Sequence, residues 1–173
     1  MVLFPLLQPD LVLGSSVLDL KIELLTSRQI QGLVLDVDDT IVPVGSSLTP
    51  PYLIEWIEKI KQIGPLCLVT NNPNQTRISS IATSLSVPYF LSAGKPSRRK
   101  LRQAVSDMGL EPAQVAMVGD RVFTDVLAGN RLGMFTILIE PMPDEHNSLS
   151  FELLRQAEFI LARTLGVSLT KKI

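Results

Sequence analysis

Five short apolar runs set the rhythm of the chain, at residues 32–35, 65–69, 87–91, 114–118 and 134–139. Continuous apolar runs of this length, bounded by polar or turn residues, read as strands buried on both faces. The stretches between them are amphipathic at helical spacing. Ser16 is placed to cap a helix over Val17 to Thr26, with Asp19 as its capping-box partner. Thr49 and Pro50 read as a cap followed by a first-turn proline. The helix they open carries Leu53, Ile54, Trp56, Ile57, Ile60 and Ile63 on one side and stops at Gly64. Further helices are predicted over about Gln75–Leu85, Pro96–Met108, Thr124–Leu132 and Phe151–Leu165, while residues 1–15 read as irregular. Strand followed by helix, repeated, predicts an α/β fold: one Rossmann-like, doubly wound parallel sheet of about five strands with helices on both faces.

Composition narrows this without changing it. A chain of 173 residues suits one domain, expected as an N-terminal extension and helix (1–30), a catalytic core (31–140) and a C-terminal loop and helix (141–173). The 46% apolar content and mean hydropathy of +0.29 fit a deeply buried sheet, or a protein that touches a membrane. A net charge of -1 argues against nucleic acid as a partner. Cys67, the single cysteine, lies within an apolar run and reads as a core thiol in a reducing compartment. No apolar run reaches the roughly 18 residues of a membrane span, and Met1 to Leu7 lacks the basic leader of a signal peptide.

Chemistry collects at the ends of the runs. The first ends in Asp36-Val37-Asp38-Asp39-Thr40, the second in Thr70-Asn71-Asn72 and the fourth in Gly119-Asp120; Lys95 lies just past the third. In a parallel sheet these ends share one edge, where doubly wound folds bind ligands. Asp36 and Asp38 are two apart on a strand and so lie on one side. Such crowding of like charge is unfavourable unless a cation or a chemical task offsets it. Asp39 alternates away from Asp36 and reads as a turn residue, and Thr40 as a brace of the loop. His146, the only histidine, sits in a Pro- and Asp-rich loop far from these groups.

These residues resemble the four motifs of the haloacid dehalogenase-like (HAD) phosphatases. Asp36-Val37-Asp38-Asp39-Thr40 is similar to the first, Thr70 to the second, Lys95-Pro96 to the third, and Gly119-Asp120-Arg121-Val122-Phe123-Thr124-Asp125 to the fourth. Gln8-Pro9-Asp10, Asp38-Asp39-Thr40-Ile41-Val42-Pro43, and the run from Thr124 to Gly133 leading into Thr136-Ile137-Leu138 resemble the YqeG-like, phosphatidylglycerophosphatase-like branch, subclass IIIA. The resemblance implies a phosphoric monoester hydrolase with an Mg²⁺ cofactor. Asp36 would be the nucleophile that forms an aspartyl-phosphate, and Asp38 the acid and base. Thr70 and Lys95 would contact the phosphoryl group, with Asn71 and Arg98 also binding substrate. Asp36, Asp120 and the backbone carbonyl of Asp38 would hold the metal, and Asp125 would be a ligand or would orient one.

Family members that act on small metabolites usually carry a cap domain. Here only Val42 to Leu48 separates the first motif from the next helix, and residues 71–94 hold one helix and one short strand. The expectation is an uncapped mouth that admits a phosphate carried on something large. The branch resemblance points to a phospholipid, phosphatidylglycerophosphate, and to a cytoplasmic protein peripheral at the membrane surface. Arg98, Arg99, Lys100 and Arg102 near the mouth, and the apolar stretch Met1 to Leu7, are candidate contacts. A phosphoprotein or a soluble ester is the alternative substrate. A non-catalytic phosphate-binding domain is disfavoured because every motif position keeps its functional group. A receiver-like domain is disfavoured because receivers carry no acid two residues after the nucleophile and need an Asp at the end of the third run.

Overall fold

The computed structural model describes residues 4–142 and 149–170. A single parallel sheet organises them. Its strands are β1 (Leu11–Val12), β2 (Gly32–Leu35), β3 (Leu66–Val69), β4 (Tyr89–Phe90), β5 (Val115–Gly119) and β6 (Phe135–Leu138), in the order β1-β6-β5-β2-β3-β4. Helices α1 (Phe4–Leu7), α2 (Ile22–Ser27), α3 (Pro51–Ile60), α4 (Gln75–Leu85), α5 (Arg99–Asp107), α6 (Leu127–Leu132) and α7 (Leu149–Thr164) surround it. The chain segments where a cap would be inserted hold only a loop before α3, and α4 with β4 between the second and third motifs.

Strand alternation divides the core. Leu33, Leu35, Leu66, Leu68, Ala116 and Val118 face the side covered by α2, α3 and α4. Val34, Cys67, Val69, Val115 and Met117 face α5 and α6. Every residue of β2, β3 and β5 is buried, so the period of two decides which helix layer a residue meets, not whether it is buried. Cys67 lies within this core, and burial, with a contribution from Asp107, pushes its thiol up to about 12.

The sheet has six strands rather than about five, because β1 lies in the stretch expected to be irregular. Two residues carry no period to read. What makes them a strand is tertiary: Asp10 Oδ2 accepts from Thr136 N at 2.8 Å and from Thr136 Oγ1 at 3.1 Å. Leu11 and Val12 then pair with Ile137 and Leu138 of β6. Gln8 holds the other end of the chain, donating to Ser168 O and accepting from Ser168 N, both at 2.9 Å. Asn130 of α6 donates to Leu6 O and Gln8 O. Gln8-Pro9-Asp10 is thus a strap joining both ends of the described chain to the β6 edge. Leu6 and Leu7 pack beneath it against Val122, Val126 and Ala162. Leu7 is a core residue and Leu6 packs partly buried against the same core, while Met1, Val2 and Leu3 lie outside the described residues, as does His146.

Helix starts differ in detail. Val17–Asp19 is a 3₁₀ turn, α2 begins only at Ile22, and Ser16 makes no capping bond. Thr49 does not cap α3, whose N-cap is Pro50. Asn74 caps α4 through Arg77 N at 3.0 Å. No helix among the described residues is long and apolar enough to cross a membrane. Replacing Asp10 by Ala is expected to cost about 1.5–3 kcal/mol, the value of hydrogen bonds to a charged group, with turnover little changed. Urea unfolding monitored beside a soluble-ester assay checks both halves of this expectation.

Candidate active site

β2 and β5 pair side by side, Leu35 opposite Val118, so Asp36 and Asp120 leave the sheet together. Asp36 N donates to Val118 O at 3.0 Å, which fixes the turn out of the strand. β3 delivers Thr70 on the other flank, where it is buried. Lys95 arrives from beyond β4 and has to be brought back across the edge. Asn71 does this with both ends of its amide: Oδ1 accepts from Lys95 N at 2.7 Å and Nδ2 donates to Lys95 O at 3.1 Å. Lys95 Nζ then lies 2.7 Å from Asp36 Oδ1 and 2.7 Å from Asp125 Oδ1.

Asp125 reaches this point through a single π turn, Val122–Val126, which precedes α6. Its Oδ2 accepts from Arg121 N at 3.2 Å. A Cβ at position 119 would overlap the Asp125 carboxylate, so only glycine permits this approach. The outcome is three buried carboxylates, Asp36, Asp120 and Asp125, each offering an oxygen within 4.8 Å of the others.

The electrostatics follow from burial. Desolvation pushes Asp36 up to about 7, against the pull of Lys95 and with Asp125 adding to the rise. Asp120 is raised well above the usual carboxylate range by burial first, then by Asp125 and Asp36. Burial alone would lower Lys95, but Asp125 and Asp36 outweigh it and hold the ammonium above its ordinary value. When all three are ionised, three carboxylates against one ammonium leave two negative charges in excess. Asp120 Oδ1 is buried without a hydrogen-bond partner among the described residues. Hard oxygen donors, a double negative excess and an orphaned oxygen together fit a divalent cation such as Mg²⁺.

Asp38 is turned to the other wall. Its Oδ1 is 2.6 Å from Arg77 NH1 and its Oδ2 accepts from Asn72 Nδ2 at 2.9 Å. Arg77 comes from α4 and is buried; its remaining donors reach Ser46 O at 2.7 Å and Pro43 O at 3.1 Å. Asp39 has φ of +58° and accepts from Val44 N, as a turn residue does. It also lines the mouth, a cavity of about 310 Å³ that takes in Asp36, Asp38, Thr70, Lys95 and Asp120 and whose outer rim includes Leu154 and Arg155 of α7. Arg121, also at the mouth, is tied to Glu158 of α7, and that pairing outweighs burial to raise its guanidinium further.

The structure therefore gathers Asp36, Asp38, Thr70, Asn71, Lys95, Asp120 and Asp125 within one site. Asn71 is there as the clamp on Lys95. The Asp38 carboxylate stands apart from the three-carboxylate cluster, and Arg98 lines a separate cavity. Arg77 and Asn72 were not singled out from sequence. An arginine beside Ile78 on a helix whose apolar face is Ile78, Ile81 and Leu85 was the available signal. Nothing local marked Leu154 or Arg155, which only the docking of α7 brings to the rim.

A six-stranded parallel sheet with an acidic cluster, a lysine and a threonine at one edge suits phosphoryl transfer, and comparison with known proteins supplies the family. The chain belongs to the haloacid dehalogenase-like phosphatases and is a phosphoric monoester hydrolase. The HAD-hydrolase-like family model matches residues 92–141. The chain is 35% identical over 120 residues to the probable phosphatase YqeG of Bacillus subtilis, covering 69% of this chain and 70% of that protein. It is 26% identical over 151 residues to phosphatidylglycerophosphate phosphatase 1 of Arabidopsis thaliana; the match covers 82% of this chain but only 43% of that protein. An uncharacterized protein from Listeria monocytogenes shares the fold, with a TM-score of 0.54 and 16% identity over 78% of this chain and 99% of that one.

With divalent cations chelated, the raised value of Asp36 means that the folded protein keeps a proton the unfolded chain releases. That stability is full below the ordinary carboxylate value of 3.8 and is lost as pH rises through about 7. Asp120, raised in the same direction, adds to the loss. Thermal denaturation in chelator should therefore show a midpoint that falls between about pH 4 and pH 7, and added Mg²⁺ should restore it most at the alkaline end.

Proposed function

We propose that this chain is an Mg²⁺-dependent phosphatase that works through an aspartyl-phosphate on Asp36 and converts phosphatidylglycerophosphate to phosphatidylglycerol. The observation that carries the chemistry is Asp36: a strand-end carboxylate, buried, held by Lys95, and beside an orphaned Asp120 oxygen. Residues 1–173 act as one phosphatase domain whose catalytic core is 31–140.

Asp36 attacks phosphorus, and the bond from phosphorus to the leaving oxygen breaks. Asp38 gives that oxygen its proton. Water then attacks the phosphorus of the aspartyl-phosphate, Asp38 takes the proton back, and Asp36 is released with inorganic phosphate. Arg77 and Asn72 hold the Asp38 carboxylate at the mouth for both steps. Thr70 and Lys95 bind the phosphoryl oxygens, and Asn71 keeps Lys95 in place. A bound Mg²⁺ supplies charge neutralisation for the transferring phosphoryl group. Asp36, Asp120 and Asp125, with the backbone carbonyl of Asp38, would hold it.

Two features favour a lipid as the carrier of the phosphate. No cap covers the mouth among the described residues, and its rim bears Leu154 of a helix that also exposes Leu153, Ile160 and Leu161, with Leu165 exposed just past its end. Such a rim suits a substrate with an apolar body and a protein peripheral at a membrane surface. The Arabidopsis relative bears the name of the same reaction.

Phosphate release from phosphatidylglycerophosphate in mixed micelles, measured beside soluble esters and a phosphopeptide, tests the substrate. A strong preference for the lipid is expected; equal turnover of the soluble compounds would remove the lipid and leave the chemistry. Asp36→Asn is expected to fold normally by circular dichroism and to lose more than about a hundredfold in kcat, because deleting a nucleophile usually costs at least that. Retention of more than about one hundredth of the activity would remove Asp36 from that role.

A further inference from the structure

A second cavity of about 460 Å³ lies beside the mouth without sharing a lining residue with it. Its walls are Ser97, Arg98, Arg99, Arg102 and Arg131. Three of the arginines come from the start of α5, and the fourth comes from the end of α6. Sequence adjacency suggested the first three; the fourth converges on them only through the fold.

The arrangement concentrates like charge at an exposed part of the surface. Four guanidinium groups face one space with no carboxylate in the lining, and none of the four is in an ion pair among the described residues. Two are held together rather than allowed to part. Arg98 NH1 donates to Arg131 O at 2.9 Å, and Arg131 NH1 donates to Pro96 O at 2.9 Å. Each thus spends a donor on backbone, which sets the geometry while leaving the charge uncompensated. The first turn of α5 contains no acidic residue, so no carboxylate offsets the positive end of this nine-residue helix, where Ser97 Oγ accepts from Arg99 N. A chain with a net charge of -1 has placed four of its 16 basic residues here. Guanidinium forks match phosphate oxygens in geometry as well as in charge.

We propose that this cavity is a second anion site, which takes a non-reacting phosphate group of an anionic lipid surface while the phosphomonoester occupies the mouth. The inference rests on the lipid reading above and gives it a docking element. Ser97 follows Lys95 by two residues, at most about 7 Å of backbone, so a ligand in the cavity lies next to the loop that carries the mouth's lysine. Arg131 grips Pro96 between them.

The test uses the full chain, vesicles of phosphatidylcholine with and without phosphatidylglycerol, and two variants of equal charge. Arg99→Gln with Arg102→Gln removes two cavity cations. Lys59→Gln with Arg163→Gln removes two exposed cations elsewhere. In flotation at low salt, the wild type and the second variant are expected to bind phosphatidylglycerol vesicles alike. The first variant should bind about thirtyfold more weakly, or about 2 kcal/mol at 1.4 kcal/mol per tenfold. Hydrolysis of p-nitrophenyl phosphate should stay within about twofold for all three proteins, and added salt should erase the difference in binding.

Equal weakening in both variants would reduce the effect to net charge and overturn the site. So would vesicle binding that is absent in the wild type or unchanged in the first variant. If inorganic phosphate titrates two sites in the wild type and one in the first variant, while vesicle binding is equal, the cavity takes free phosphate and the lipid proposal fails. A defect confined to a single-stranded oligonucleotide would overturn it likewise. The substrate reading fails separately: a wild type with no preference for phosphatidylglycerophosphate, but with arginine-dependent vesicle binding, loses the substrate and keeps the site.

Discussion

Lys95 holds the site together. Its ammonium lies 2.7 Å from both Asp36 and Asp125, and all three groups are buried. Taking a carboxylate out of water costs several kcal/mol even after relaxation, and three such groups within 4.8 Å also repel one another. The lysine offsets part of that cost and leaves the remainder as a net negative charge that a cation can take up. Much of the surrounding structure serves this one placement. Asn71 grips the lysine backbone at both its N–H and its C=O, Gly119 makes room for Asp125, and the π turn swings Asp125 beneath the ammonium. The raised values of Asp36 and Asp120 are the residue that the lysine does not neutralise.

The fold was legible in sequence where burial on both faces forced continuous apolar runs. β2, β3 and β6 fall within runs read that way, as does the shorter β4, β5 runs one residue past its run to Gly119, and α4 keeps its expected limits because Asn74 and the apolar spacing agree. β1 was not legible, since two residues have no period and its existence depends on Asp10 meeting Thr136, 126 positions away. The start of α2 was misplaced for a related reason. Ser16 has the right chemistry for a cap, but the chain makes a 3₁₀ turn there and runs extended through Leu20 and Lys21 before Ile22.

The site divides along the same line. Asp36, Thr70 and Asp120 are set by the ends of strands, so a reading that finds the strands finds them, whereas Lys95 lies beyond β4 and depends on the Asn71 clamp. Asp38 shows where that reading stops. Alternation places it on the same side as Asp36, yet its carboxylate is drawn off by Arg77 and Asn72, residues that a helix and a loop deliver from the far wall. Arg98 shows the converse: nearness in sequence to Lys95 suggested the mouth, whereas α5 turns it into the neighbouring cavity. Strand ends specify a shared edge, and only the helices decide which wall of that edge a side chain joins.

The two outer strands of the sheet, β1 and β4, are each only two residues long. An edge strand presents unpaired N–H and C=O groups that template the pairing of another chain, and length makes the hazard worse. Here the long, fully buried strands are all internal, and Lys100 lies 5.1 Å over the ring of Phe90 on β4, setting a charge beside one margin. The apolar β2, β3 and β5 are the segments most prone to form cross-β aggregates if exposed. The native sheet order withholds them from edge-to-edge association, so aggregation should require the sheet itself to open rather than the folded molecules to meet.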